Sequence, residues 1–304
     1  MRLAVHTQAL QDMFSSSCDP LTTNAVLASR ISVTPAILHQ YHIALGSNAS
    51  FQAWFSSLIA ANRFSVHLPQ AAPARVQTSD ASSDGFGTAS YFGGSTLVAE
   101  SHQLPVGGVA ALHSIGVNLI SPKKKISGTL PGDNPFFTVA VQAGGVDGFG
   151  VFDRFIKSED SLVVYDKYIN AASVELLAHL ATKLSPGSSF QIFHSDKRGG
   201  HLMSSTDVAA QVQASNTAVA VSCKVCPQVF TSIEHDRYIF LGKRIQIVFT
   251  VGLDCFGFVD QATGKRANRS SKIMFFDVTA GDQLEIQAVD GTVCRVNHLT
   301  DLPQ

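Results

Sequence analysis

The sequence predicts an α/β (α+β) protein: a mixed β-sheet flanked by helices in the carboxy-terminal half, preceded by a helical and then a β-rich region. Short apolar runs alternate with helix-length segments between residues 161 and 278, as in a sheet covered by helices. Apolar residues also recur at helical spacing through residues 1–68. Hydrophobic residues make up 45% of the 304 residues and charged ones 15%, which is typical of a well-filled core.

The chain is long enough for one large domain or two of ordinary size. We expect residues 1–108 to form a helical region with a Ser/Gly-rich loop. Residues 109–160 are predicted to be a β-rich connecting segment packed on the carboxy-terminal domain, which spans residues 161–304.

Four helices are predicted in the first 68 residues. Thr34-Pro35 is typical of a helix start, because threonine can cap the helix and proline fits its first turn. A DNA-binding helix pair beginning at Pro35 would need a basic face, so packing helices are favoured. No motif assigns a function to this half, which can position the other half, dimerise it or recognise a protein partner. The predicted helices are Gln8–Phe14, Thr23–Arg30, Pro35–Gly46 and Ser50–Ala61.

Residues 69–108 are rich in Ser, Ala, Gly and Pro, and we expect a loop there. Strands are expected after it, separated by the turn at residues 131–135. Lys123-Lys124-Lys125 is the only run of three cations in the sequence. It indicates either a solvated loop or a contact to a phosphate backbone. The predicted strands are Val117–Ile120, Phe136–Val141 and Gly148–Phe155.

The carboxy-terminal half is predicted as strands and helices in alternation. Right-handed crossovers would bring the strand ends at Asp166, His194 and His235 to one edge of the sheet, where ligand sites of α/β proteins usually lie. A last hairpin is expected around Asp290-Gly291, a strong turn pair. The predicted order is strand Leu162–Asp166, helix Ala171–Lys183, strand Ser189–His194, helix Ser205–Val212, strand Ala218–Cys223, the hairpin of residues 233–249, and strand Ile273–Val278.

That central hairpin carries the candidate chemistry. Side chains alternate along a strand, so His235 and Arg237 should project from the same face. Gly242-Lys243 suits a tight turn, and the returning strand leads to Gly252-Leu253-Asp254. Arginine offers a planar fork of donors to phosphate oxygens, and histidine can serve as nucleophile or proton donor. The sequence therefore predicts a phosphate site here.

The same stretch resembles a divergent branch of the phospholipase D superfamily, which includes the carboxy-terminal domain of MIT-domain proteins and bacterial relatives. The resemblance rests on His235-Asp236-Arg237 opening a strand, on Gly252-Leu253-Asp254 following the hairpin, and on Asp166-Lys167-Tyr168 ending the first strand. It covers residues 161–278. The usual family motif has a lysine and an aspartate where this chain has Arg237 and Gly242.

The resemblance implies metal-independent cleavage of a phosphodiester without a cofactor, in which His235 forms a phosphohistidine. The chain has one such motif, so an active site would need a homodimer with two copies of His235 across a two-fold axis. It also implies a role in antiviral defence or mobile-element systems. The implied catalytic residues are His235, Arg237, Lys243 and Asp254, with Asp166, Tyr168, Asp236 and Gly252 in supporting positions.

Two basic loops flank this site and can bind phosphate groups or be ordinary solvated loops. The first follows His194 and contains Lys197 and Arg198. The second contains Lys265, Arg266 and Arg269.

Three functions are consistent with these residues. The first is a phosphodiesterase or nuclease, a hydrolase that acts on nucleic acid, with lipid as another substrate. The second is a degenerate module that binds phosphate, lipid or protein, favoured by the missing lysine and aspartate. In the third, the His-Asp-Arg cluster is a structural network.

Bulk charge indicates no particular partner, since the formal net charge is −1. No secretory signal or transmembrane run is visible, so a cytoplasmic protein with reduced thiols is expected. Cys223 and Cys226 are best explained as ordinary strand residues, and a redox pair or half of a metal site is the alternative.

Overall fold

The computed structural model describes residues 2–76, 81–126, 136–142, 149–195, 202–233, 237–258, 267–279 and 281–299. The chain divides into two compact units, Met1–Pro135 and Phe136–Gln304. Residues 109–160, expected to form one connecting segment, are divided between the two units.

The first unit alternates short strands and helices. Its elements are β1 (Ala4–Val5), α1 (Thr7–Phe14), α2 (Pro20–Leu27), β2 (Ile31–Val33), α3 (Pro35–Leu45), α4 (Ala49–Ala60), β3 (Phe64–Val66), α5 (Ala81–Gly93), β4 (Thr96–Val98), α6 (Gly108–Ser114) and β5 (Asn118–Ile120). The four helices predicted for residues 1–68 are confirmed. Three of them begin at a capping residue whose side chain accepts the backbone N–H of the residue three positions later. The capping residues are Asp19, Thr34 and Asn48.

The strands of this unit form a parallel arrangement that the sequence did not predict. β1 pairs with β4, and β4 with β5, while β2 pairs with β3, all in parallel. A parallel bridge between Leu3 and Ile31 joins the two groups. The strand order is therefore β3-β2-β1-β4-β5, the order of doubly wound α/β folds. Strands of two or three residues are too short to give a period-two signal.

The prediction of a loop through residues 69–108 is wrong for two elements, α5 and β4. Thr88, Ala89 and Ser90 of α5 are fully buried, and so are Leu97 and Val98 of β4. Small residues let this helix approach the sheet closely. A Cβ on Gly93 would lie 3.2 Å from the backbone oxygen of Arg2. The composition that suggested a loop instead permits tight packing. Residues 77–80 lie outside the described part.

The second unit contains β6 (Phe136–Val141), α7 (Asp153–Ile156), β7 (Ser161–Tyr165), α8 (Ala171–Lys183), β8 (Ser189–Ser195), α9 (Ser205–Ser215), β9 (Ala220–Cys226) and α10 (Gln228–Ile233). It continues with β10 (Arg237–Leu241), β11 (Ile245–Phe249), β12 (Ser271–Asp277), β13 (Asp282–Gln287) and β14 (Val293–His298).

The predicted mixed sheet flanked by helices is confirmed in this unit. Seven strands lie in the order β6-β12-β11-β10-β7-β8-β9. β7, β8 and β9 are parallel, and β10 pairs antiparallel with both β7 and β11. The predicted central hairpin is also confirmed: Leu241 pairs with Ile245, and Gly242 takes a positive φ of 54° at the turn.

Both faces of this sheet are covered. On one face Tyr165, Tyr238 and Phe240 pack against Ile286 and Val296 of the predicted β13–β14 hairpin. On the other face, Phe152 beside α7 stacks on Phe249 and packs at a tilt against Phe275. Because side chains alternate along β10, Arg237 and Ile239 belong to this second face.

Two predictions in this unit are wrong. Residues 149–155 of the predicted strand Gly148–Phe155 are not extended, because residues 149–151 form a 3₁₀ turn and α7 follows it. The hairpin strand does not begin at Ile233, which ends α10; β10 begins at Arg237, and residues 234–236 lie outside the described part. The predicted strand at residues 148–155 was misassigned because its phenylalanines recur every three residues, a spacing that fits a short helix as well as a strand.

The two neighbouring cysteines of β9 face opposite sides of the sheet. Cys226 lies in the core with Tyr165, whereas Cys223 lies near Ser205 of α9. Both thiols are free. This agrees with their interpretation as ordinary strand residues rather than a redox pair.

Candidate functional site

The ends of four strands meet at one edge of the second unit's sheet. β7 and β8 are parallel, so both end at this edge. β10 runs in the opposite direction and begins there, and β11, antiparallel to β10, ends there. Tyr238 pairs with Tyr165, so the preceding Arg237 lies opposite the following residue, Asp166. The register of the sheet thus places a guanidinium beside a carboxylate.

Asp166 connects three segments at this edge. Its side chain is fully buried. One carboxylate oxygen accepts the N–H of Tyr168 at 3.0 Å, and the other accepts the N–H of Leu253 at 2.9 Å. Nε of Arg237 lies 3.8 Å from the first of these oxygens. One carboxylate therefore positions the end of β7, the turn after β11 and the first side chain of β10.

Asp254 forms a second, more exposed centre in the turn after β11. It accepts a hydrogen bond from Nδ2 of Asn170 at 3.0 Å and pairs with the guanidinium of Arg269. Gly252 permits this arrangement because its missing side chain leaves room for the carboxylate: a Cβ there would lie 2.6 Å from Oδ1 of Asp254.

These groups line an open cleft of about 370 Å³. Its walls carry two guanidinium groups, one carboxylate, a phenol and an amide. A guanidinium has five N–H donors, so the bond from Arg269 to Asp254 leaves further donors for an anion. The lining residues are Tyr168, Asn170, Arg237, Thr250, Val251, Gly252, Asp254 and Arg269.

Burial raises the pKa of Asp166, and the negative charge of Asp254 acts in the same direction. The N–H donors of Leu253 and Tyr168 and the charge of Arg237 lower this pKa, but burial has the largest effect. Asp166 therefore holds a proton more readily than an exposed aspartate does.

The structure brings together six of the predicted site residues. Asp166 lies below the cleft, and the other five line it: Tyr168, Arg237, Gly252, Asp254 and Arg269. Six more predicted residues lie outside the described part of the chain, namely Lys197, Arg198, His235, Asp236, Lys265 and Arg266.

The placement of Lys243 beside Arg237 is corrected. Lys243 lies in the turn at the other end of β10, roughly 20 Å along the strand from Arg237. There its carbonyl accepts a hydrogen bond from Asn297. Because a strand is extended, six residues separate the two cations widely in space, although they are close in the sequence.

Sequence reasoning missed three residues of the cleft: Asn170, Thr250 and Val251. Asn170 had a usable signal, because asparagine directly before a helical pattern is a common cap. It does cap α8, accepting the N–H of Ser173, while its amide nitrogen donates to Asp254. Thr250 and Val251 line the cleft only because they directly follow β11, whose pairing register places its end there.

Among the described residues, no three His, Cys, Asp or Glu side chains converge to hold a metal ion. No helix in the described ranges is both long and apolar enough to cross a membrane.

No family model matches the chain, and no curated protein matches it. Among solved structures it is similar to polyphosphate kinase from Porphyromonas gingivalis, with 10% sequence identity and a TM-score of 0.29. The match covers 47% of this chain and 23% of that chain. A similarity of this size supports no argument about fold or activity.

Proposed function

We propose that the cleft binds the phosphate group of a phosphodiester and that the chain is a divergent phospholipase D-like protein acting on nucleic acid. One observation carries the proposal: Arg237 and Arg269 both line an open cleft, at the edge where the strand preceded by His235 begins. Guanidinium groups recognise phosphate oxygens through paired N–H donors.

The proposed chemistry uses the chain's own side chains. A ring nitrogen of His235 bonds to phosphorus as the bond from phosphorus to the leaving oxygen breaks, and a second His235 from a partner copy protonates that oxygen. Water then attacks phosphorus and gives a proton to the partner's His235, while the bond from phosphorus to the first His235 breaks and the phosphate monoester is released. Arg237 and Arg269 neutralise the charge that develops on the phosphate oxygens. Asp166 acts as a positioning residue for Arg237.

The test uses labelled single- and double-stranded DNA and RNA, incubated with the whole protein in EDTA. We expect cleavage that His235→Ala abolishes and that Arg237→Ala lowers by about 10²-fold or more. Arg295→Ala is the matched control, because Arg295 is exposed and pairs with Glu285 on the β13–β14 hairpin. Equal loss in this control would show that general basicity, and not the cleft, is responsible.

A second candidate is a module that binds phosphate without turnover. It is favoured by the missing motif lysine and aspartate, in whose places this chain has Arg237 and Gly242, and by the pairing of Arg269 with Asp254. It predicts binding that survives His235→Ala but falls with Arg237→Ala and Arg269→Ala. Anionic lipid vesicles tested beside nucleic acid identify the source of the phosphate. Absence of binding to either would contradict both candidates.

A further inference from the structure

A second group of reactive side chains lies outside the cleft, where β8 ends and α9 begins. His194 is 7% exposed. Its Nε2 lies 2.6 Å from Oγ of Ser205, the first residue of α9. Its Nδ1 lies 2.9 Å from the carbonyl oxygen of Ser195. A hydroxyl, an imidazole and an orienting acceptor in this order are the geometric signature of an activated nucleophile.

The partners of the imidazole fix its tautomer. A carbonyl oxygen can only accept, so Nδ1 of His194 carries the proton and donates it to Ser195. In the neutral form of the ring, Nε2 is then the acceptor for the hydroxyl of Ser205, 2.6 Å away. This is the tautomer that a general base requires.

A thiol of β9 lies near this hydroxyl. Burial raises the pKa of Cys223 to about 12, and Ser205 has a smaller, opposite effect on this pKa. The thiol therefore keeps its hydrogen at neutral pH, and its sulfur is a weaker acceptor for the proton of Ser205 than Nε2 of His194 is.

The first turn of α9 supplies donors for a developing negative charge. This helix has 11 residues, and the hydroxyl of Ser204 caps it by accepting the N–H of Asp207. The N–H groups of Ser205 and Thr206 lie in the first turn, where a helix offers no acceptor of its own. Such donors stabilise an oxyanion formed next to them.

We propose that Ser205 and His194 form a serine–histidine dyad that hydrolyses small uncharged carboxylic esters. Oγ of Ser205 bonds to the carbonyl carbon while its proton passes to Nε2 of His194. The bond to the leaving oxygen then breaks, and His194 returns the proton to it. Water attacks the acyl-serine by the reverse sequence and releases the acid. An uncharged ester fits because, among the described residues, Oγ of Ser205 bonds to an imidazole and to no carboxylate, ammonium or guanidinium group. The dyad is independent of the arginine cleft.

The test treats the whole protein with a fluorophosphonate probe and with p-nitrophenyl acetate. We expect one covalent probe adduct, located on Ser205 by peptide mass spectrometry, and loss of this adduct in Ser205→Ala. His194→Gln should slow both labelling and ester turnover by about 10²-fold or more. Ser215→Ala is the matched control, since this hydroxyl at the end of the same helix bonds to the carbonyl of Gln211. It should label as the wild type does.

Three results would overturn the dyad and make these contacts a structural tie between β8 and α9. They are an unlabelled wild type, an adduct on another residue, or unchanged labelling in a folded His194→Gln. If His194→Gln does not fold, Ser205→Cys replaces it. The introduced thiol should react with iodoacetamide about 10-fold faster than Cys18, a half-buried thiol of the first unit, because the imidazole generates its thiolate. An equal or slower reaction would also contradict the dyad.

Discussion

The two ends of the β10–β11 hairpin each place an arginine beside a buried carboxylate, with different results. At the turn, Arg244 is 2% exposed, and its Nε lies 2.5 Å from Oε1 of Glu159. Its Nη2 also donates to the carbonyl of Phe155 and the hydroxyl of Ser158. At the open end, 25% of the Arg237 side chain is exposed and its Nε lies 3.8 Å from Asp166.

The difference separates a structural arginine from a binding one. Arg244 is enclosed by acceptors from one segment, residues 155–159, so it ties that segment to the hairpin. Arg237 shares its carboxylate with two backbone N–H groups and faces a cleft. Both pairs consist of an arginine and an acid, so residue type does not distinguish them. They differ in the exposure of the arginine and in the number of other donors that the carboxylate accepts from.

The largest expected effect is at the closed end. Arg244→Ala should destabilise the protein by about 3–5 kcal/mol, because it removes the arginine that pairs with the buried carboxylate of Glu159. Urea unfolding measures this. Arg295→Ala breaks an exposed pair and should cost about 1 kcal/mol or less. Similar losses in the two variants would remove the distinction between a buried and an exposed pair.

The next effect is at the open end. Asp166→Asn should cost about 1–3 kcal/mol, because an amide offers one acceptor oxygen to the two N–H groups of Tyr168 and Leu253. Binding of a labelled oligonucleotide should weaken as well, since Arg237 loses the negative charge beside it. A variant with normal stability and normal binding would show that Asp166 does not organise the cleft.

The same substitution predicts a pH dependence. The pKa of Asp166 is raised above its unfolded value of 3.8, so the folded state holds this proton more tightly. Its contribution to stability is complete below that value and is lost as the pH rises through the raised pKa. The stability of the wild type minus that of Asp166→Asn should therefore fall with pH over this window. A difference that rises with pH would contradict the direction of the shift.

A smaller effect is expected from Gly252→Ala. The backbone there has a φ of −59°, which alanine adopts, but the new methyl would lie 2.6 Å from the carboxylate of Asp254. Movement of that carboxylate should loosen Arg269 and weaken oligonucleotide binding by about 3–10-fold, with a stability change near 1 kcal/mol. Gly150→Ala is the control, because its Cβ would meet no atom within 4 Å.

The smallest effect tests the separation of the two ends. Lys243→Ala should leave oligonucleotide binding within about 2-fold of the wild type, because the site is a strand's length away. Salt titration of both proteins should give the same slope. A loss as large as that of Arg237→Ala would place Lys243 in the binding surface and weaken the comparison.

The second unit was the more predictable from sequence. Helix Ala171–Lys183 appears with the predicted bounds, since its apolar spacing and its Asn170 cap act locally. Helix Ala81–Gly93 was missed because its glycines and serines disfavour a helix in isolation, and its burial against the sheet compensates for this.

The candidate site was predictable as an edge of the sheet and less so in its members. The alternation of side chains along a strand and the right-handedness of crossovers predicted that Asp166 and Arg237 would lie at one edge. The contribution of Asn170 to Asp254 depends on tertiary packing of segments 84 residues apart, which no local pattern encodes. The role of His235 stays a prediction.

The strand order of the first unit has a consequence for the timing of its folding. β1 precedes the other strands of this unit in the chain, yet it lies between β2 and β4, and Ala4 meets its partner Leu97 only after more than ninety further residues have been made. During synthesis, the side of β1 that pairs with β4 therefore lacks its hydrogen bonds until those residues follow. During that interval a chaperone or a ribosome-associated factor can bind the apolar edge of β1. Deletion of such a factor should therefore lower the fraction of chains in which this unit is folded more than the fraction in which the second unit is folded.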